Sequence, residues 1–138
     1  TRVTRQTLPF DMPETVECWK LTGALFFGSV SKLEDVTDPK RITSPDAAKV
    51  VILDCTDLLN IDNSAMDILQ VFMRALKRRN HELIIAGASG HPQRQLQRTG
   101  IAQSLGANFV PNSEFAQPRA RELLTEIEKK ETSGKPVV

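Results

Sequence analysis

The sequence predicts a single α/β domain, a mixed and mostly parallel sheet of about five short strands flanked by about four helices. Three observations predict it. Val50-Val51-Ile52-Leu53 is a continuous apolar run between polar residues, as expected of a central strand buried on both faces. Leu83-Ile84-Ile85-Ala86-Gly87 repeats that pattern downstream. Between and after these runs, apolar residues recur at helical spacing, and such strand–helix alternation argues for a parallel sheet with helices packed on it.

The elements follow in order. Thr1 to Thr15 holds two prolines and little apolar periodicity, and reads as a linker or arm. Val16-Glu17-Cys18-Trp19-Lys20-Leu21 reads as a strand closed by the turn pair Thr22-Gly23. Ala24-Leu25-Phe26-Phe27 is a second strand ended by Gly28, and a short helix over Ser29 to Leu33 would carry Val30 and Leu33 on one face. Glu34 to Lys49 is polar, contains Pro39 and Pro45, shows no period, and is expected to be a surface loop. After the strand Val50–Asp54, Ala65, Leu69, Phe72 and Leu76 recur at i, i+4, i+7 and i+11, with Ile68 and Met73 beside them. That is a helix with one buried stripe, and Arg74, Lys77, Arg78 and Arg79 in its last turns suit the negative end of its dipole. Pro92 to Thr99 is a short helix, with Pro92 in its first turn and Gly100 at its C-terminal cap. Asn108-Phe109-Val110-Pro111 is a brief last strand. Ser113 then caps a final helix lined by Ala116, Ala120, Leu123, Leu124 and Ile127. The domain is expected over residues 16–131, with Thr132 to Val138 a disordered tail.

Composition narrows the function. Hydrophobic residues make up 40% of the 138 and charged residues 25%, the profile of a globular protein. A net charge of +1 gives no bulk attraction to nucleic acid. No stretch approaches the ~20 apolar residues of a transmembrane helix, so the chain itself is expected to be soluble. Cys18 and Cys55 lack a metal-spaced second pair and read as buried apolar side chains. His81 and His91 lack acidic or cysteine neighbours at ligand spacing and are expected in solvated turns. No G-x-S-x-G elbow, phosphate-binding loop or dinucleotide glycine run is present. Ala86-Gly87-Ala88-Ser89-Gly90 lacks the lysine of a phosphate cradle and reads as a strand-to-helix loop. Asp54 ends a central strand as the phospho-acceptor of a two-component receiver does. A receiver also needs an acidic pair after its first strand and a lysine after its last, and here Thr22-Gly23 and Pro111-Asn112 stand there.

The stretch Val50-Val51-Ile52-Leu53-Asp54-Cys55-Thr56-Asp57-Leu58-Leu59-Asn60-Ile61-Asp62-Asn63-Ser64-Ala65-Met66 resembles the STAS signature: a buried strand ending in Asp, a short loop, an apolar residue, Asp, two small polar residues and Gly entering a helix. Arg79-Asn80-His81-Glu82-Leu83, Leu96-Gln97-Arg98-Thr99-Gly100-Ile101 and Asn108-Phe109-Val110-Pro111 follow in the family's order. Trp19 to Leu33 resembles the version found at the end of SulP-type anion transporters, a strand ending in aromatics before a short helix. The loop Glu34–Lys49 resembles the variable insertion placed there.

The resemblance implies a non-catalytic regulatory domain without cofactor or metal, on the cytoplasmic side of the inner membrane. Its partners would be the membrane domain of the same polypeptide, through the arm at Thr1 to Thr15, and cytosolic proteins. Self-association and contact of Arg74, Lys77, Arg78, Arg79, Arg94 and Arg98 with anionic lipid are further expectations. Free anti-sigma-factor antagonists are the other branch of the family, and there a serine after the loop Asp is phosphorylated. Here Asn63 takes that position, Ser64 follows as the remaining phosphorylation candidate, and Ala65 replaces the glycine. The expected contact residues are Asp62, Asn63, Ser64, Met66 and Asp67. The same residue types also cap helices, and Asp62, Asn63 and Ser64 are read first in that role.

Overall fold

The computed structural model describes residues 2–6, 12–25 and 34–133. Six strands, β1 (Arg2–Gln6), β2 (Val16–Leu25), β3 (Val50–Asp54), β4 (Leu58–Ile61), β5 (Glu82–Ala86) and β6 (Phe109–Val110), form one sheet. Its order is β1-β2-β3-β5-β6, with β4 paired to β2 off this path. β1 runs antiparallel to β2 and every other pairing is parallel. The helices are α1 (Pro39–Ile42), α2 (Asn63–Arg78), α3 (Gly90–Arg98), α4 (Ile101–Leu105) and α5 (Ser113–Ser133), with a 3-10 turn at Gly106–Asn108. None of them is long and apolar enough to cross a membrane.

The continuous apolar runs are explained by cover on both faces. Val51, Leu53, Leu83 and Ile85 point into one core layer, closed by Ala65, Met66, Leu69 and Phe72 of α2 together with α3 and α4. Val50, Ile52, Ile84 and Ala86 point the other way, against Ala116, Ala120, Leu123, Leu124 and Ile127 of α5. Side chains alternate along a strand, so a strand covered on both faces has no position left for a polar residue. Each fully buried Val, Leu or Ile contributes roughly 1.5–3 kcal/mol. The helix that the periodicity places after residue 62 is there, as is the apolar face of α5.

The structure differs from the sequence reading where pairing is non-local. The arm expected over residues 1–15 contains an edge strand, β1, in register Arg2↔Thr22 to Gln6↔Cys18. The turn expected at Thr22-Gly23 is instead a bulge inside one ten-residue strand. Gly23 holds φ +78° there, and the register shifts between Gly23 and Ala24. Before the bulge β2 pairs with β3, and after it with β4. Phe26, Phe27 and the helix expected at Ser29–Leu33 lie outside the described residues. The Glu34–Lys49 segment is more than a surface loop. Asp38 caps α1 by accepting from the Lys40 N–H at 2.9 Å, and Val36 and Ile42 are buried. β4, α4 and the 3-10 turn are additional elements. The cap of α5 is Asn112, whose Oδ1 accepts from the Glu114 N–H at 3.0 Å, in place of Ser113.

The buried polar residues Glu17 and Asn108 are paired, as the cost of an unmet hydrogen bond requires. Glu17, on β2, accepts from Trp19 Nε1 and Arg41 Nη2, while the Arg41 guanidinium lies 5.0 Å from the Trp19 ring centre. Asn108 donates to Glu82 at 3.2 Å and accepts from Arg119 Nε at 2.7 Å, tying α5 to the sheet.

Candidate interaction site at the start of helix α2

The short loop after β3 is shaped by side-chain-to-backbone bonds. Asp54 Oδ1 accepts from the Thr56 N–H at 3.0 Å and from Thr56 Oγ1 at 2.6 Å, so Asp54 holds a turn. The Cys55 N–H donates to Ala86 O at 2.8 Å and the Gly87 N–H to Val110 O at 3.0 Å, stitching the C-terminal ends of β3, β5 and β6 together. Lys20 and Asp57 form a salt bridge at 2.8 Å, and the hydrogen bond to Asp57 raises the Lys20 pKa. The chain then runs through β4 and delivers Asp62 to the start of α2.

Asp62 is the N-cap: its backbone is extended, and its Oδ1 accepts from the Ala65 N–H at 3.1 Å. Its carbonyl takes the Met66 N–H at 3.0 Å, opening the helical ladder. Asn63 is exposed, and its Oδ1 accepts from Arg98 Nη2 at 2.8 Å, while Arg98 Nε donates to Gln95 at 2.8 Å. Ser64 is half-buried in the first turn, and Asp67 is exposed. Met66 is different. It is 1% exposed and sits in the core with Leu69 and Phe72, so it offers no contact surface and leaves the candidate set.

Helix α3 braces this corner. His91, expected in a solvated turn, lies in the first turn of α3, half-buried, with its Nδ1 accepting the Ile61 N–H at 3.3 Å. A neutral ring accepting at Nδ1 carries its proton on Nε2. Gln70 reaches the Thr99 carbonyl at 3.3 Å from α2. The sequence reading missed His91 and Gln70. Their partners lie about thirty residues away, and no local pattern signals them. His81 is half-buried too, its Nδ1 unpartnered, and burial followed by Arg79 and Lys49 lowers its pKa.

The corner presents acidic and short polar groups at a helix start. Asp62 and Asp67 carry negative charge, Asn63 and Ser64 carry short polar groups, and Leu59, three residues before Asp62 on β4, is 67% exposed. Among the described residues no group of three or more His, Cys, Asp or Glu side chains converges as metal ligands would. Both thiols are held protonated. Burial, then the Asp54 charge, pushes Cys18 up to about 11, and burial, Asp54 and Cys18 push Cys55 up to about 12.

Comparison with known proteins gives a consistent picture. The STAS domain family model matches residues 11–116. A putative sulfate transporter of Bacillus subtilis, YvdB, is 32% identical over 92 residues, 67% of this chain. This chain spans only 17% of that transporter's length. A sulfate transporter family protein from Wolinella succinogenes superposes with a TM-score of 0.70 at 28% identity, over 83% of this chain and 91% of the other. The STAS domain of a SulP transporter from Vibrio cholerae gives 0.63 at 25% identity, over 89% and 88%. The anti-sigma factor antagonist SpoIIAA, in its unphosphorylated form, gives 0.69 at 18% identity over 88% and 97%, a likeness of fold alone.

Proposed function

This chain belongs to the STAS domain family, and we propose that it serves as the non-catalytic regulatory domain on the cytoplasmic side of a SulP-type anion transporter. The observation that carries this reading is Asn63. It has no hydroxyl to phosphorylate, and its carboxamide is already hydrogen-bonded to Arg98 at the helix start where an antagonist would present its switch serine. The identity of 25–32% to transporter proteins supports the same branch.

In this reading Asp62, Asn63, Ser64 and Asp67 form the contact face for a cytosolic partner or for the membrane domain of the same polypeptide. Residues 1–15 lead to that membrane domain, with β1 fastening them to the sheet edge. Regulation would work through this docking, with no turnover by the domain itself.

Fractionation of source cells with an antibody against the domain tests the proposal. A band in the membrane fraction far above 15.3 kDa is expected. A soluble band near 15.3 kDa, with phosphate incorporated at Ser64 by a cognate kinase, would replace it with the antagonist function.

A further inference from the structure

Helix α2 carries a second apolar stripe at the margin of the core, with Ile68 and Ala75 partly buried against it. Ile68, Val71 and Ala75, at i, i+3 and i+7, face a trough closed on its far side by residues 34–42, with Ile42 in its floor. Val71 is 65% exposed, unusual for a β-branched apolar side chain with a core helix beneath it. The rim is acidic. Glu34, Asp35 and Asp38 stand on one wall and Asp67 on the other, and none forms a salt bridge among the described residues. Asp38 caps α1, but through a backbone N–H, which brings no opposite charge to its carboxylate.

We infer that this trough is the seat of a cationic amphipathic helix presented by a partner protein. Carboxylates ringing an apolar, low-dielectric floor focus a negative potential, which attracts Lys and Arg and repels an anionic lipid surface or an acidic partner. An apolar floor with a charged rim matches the groove that receives the apolar face of an amphipathic helix. Size agrees. The trough is an open groove of about 610 Å³, room enough for apolar side chains from one face of a helix. The inference does not depend on the transporter reading, although Asp67 belongs both to this rim and to the contact face proposed above.

The test uses the whole 138-residue chain and two fluorescein-labelled helical 14-mers, one of leucine and lysine, one of leucine and glutamate. Fluorescence anisotropy should show saturable binding of the lysine peptide, weakening as salt rises, and no binding of the glutamate peptide. The variant Glu34→Gln/Asp35→Asn/Asp67→Asn should bind at least tenfold more weakly, and Val71→Ser should weaken binding at unchanged charge. Glu34, Asp35, Asp67 and Val71 are all exposed, so both variants should unfold at the temperature of the parent. Equal binding by parent and triple variant overturns the inference. So does a concentration-dependent dimer that the same substitutions dissociate, because the occupant is then a second copy. A spin label at Val71→Cys already immobilised in the free chain overturns it as well, because the chain's own residues then fill the trough.

Discussion

Replacing Gly87 by alanine should destabilise the platform that delivers the start of α2. Gly87 follows β5 at φ +76°, a left-handed conformation that costs an L residue about 1–2 kcal/mol. An alanine Cβ would also lie 2.4 Å from Thr56 Oγ1, 3.1 Å from Thr56 Cα and 3.2 Å from Thr56 Cβ. The hydroxyl cannot simply rotate away, because it donates to Asp54 at 2.6 Å and holds the loop turn. Behind the hydroxyl stands the Thr56 backbone itself, so relief requires the β3–β4 loop to move. Overpacking of this kind costs about 1–3 kcal/mol. Together the two terms predict a loss of ~3 kcal/mol, or roughly 1.5 M in urea midpoint at a slope of ~2 kcal/mol/M. Thr56→Ala removes the hydroxyl clash but leaves the crowding against the loop backbone, so the double variant should recover about 1 kcal/mol relative to additivity. Urea unfolding followed by circular dichroism measures all three. A loss below ~1 kcal/mol for Gly87→Ala, or strict additivity with Thr56→Ala, would refute the reasoning.

Three further predictions concern single groups. Asp62→Ala should cost about 0.5–2 kcal/mol by removing the cap, whereas Asp62→Asn, which can still accept from Ala65, should cost a few tenths. Equal losses in thermal unfolding would show that the cap bond at 3.1 Å contributes nothing. His81 has a folded pKa below its ordinary 6.5, so the unfolded chain takes up the proton first as pH falls. Stability should therefore decline below pH 6.5 until the folded value is passed, and His81→Gln should flatten that slope in urea midpoints taken between pH 7.5 and 5. With folded values of about 11 and about 12 against an ordinary 9.0, Cys18 and Cys55 should hold ~100-fold and ~1000-fold less thiolate at pH 8 than free thiols. Dithionitrobenzoate should label them only after unfolding, and rapid labelling of the native chain would contradict their burial.

The elements legible in the sequence are those whose evidence is local. β3 and β5 announce themselves as apolar runs, and α2 and α5 as stripes at helical spacing, because burial stamps its own period on contiguous residues. Asp62 was legible as a cap for the same reason. Met66 was legible too, in principle: with Leu69 and Met73 it completes an i, i+3, i+7 row of the buried stripe, and that row marks it as core. β1 and β4 leave no such trace. β1 reads Arg2-Val3-Thr4-Arg5-Gln6, with one apolar residue, and exists as a strand because β2 offers it a ladder. β4 buries only its two ends, Leu58 and Ile61. α1 was hidden by Pro39, which reads as a breaker but sits in the first turn, where its missing N–H costs nothing.

The candidate corner depends on one of these non-local features. β2 pairs with β3 up to the bulge at Gly23 and with β4 after it, and the Gly23 N–H donates to Asp57 O at 3.1 Å. Without the bulge β2 would keep its register with β3 and could not deflect to meet β4, and Asp62 would enter α2 from a different position. Gly23 therefore acts on the site from nearly forty residues away, through backbone pairing and no side-chain contact. That is why its turn-like sequence, Thr22-Gly23, is better read as a re-aiming device than as an end. The same strand holds β1 on its other edge, in register Arg2↔Thr22 one residue short of the bulge. The N-terminal segment and the strand leading into α2 are thus paired to a single strand, β2, one before the bulge at Gly23 and the other from it onward.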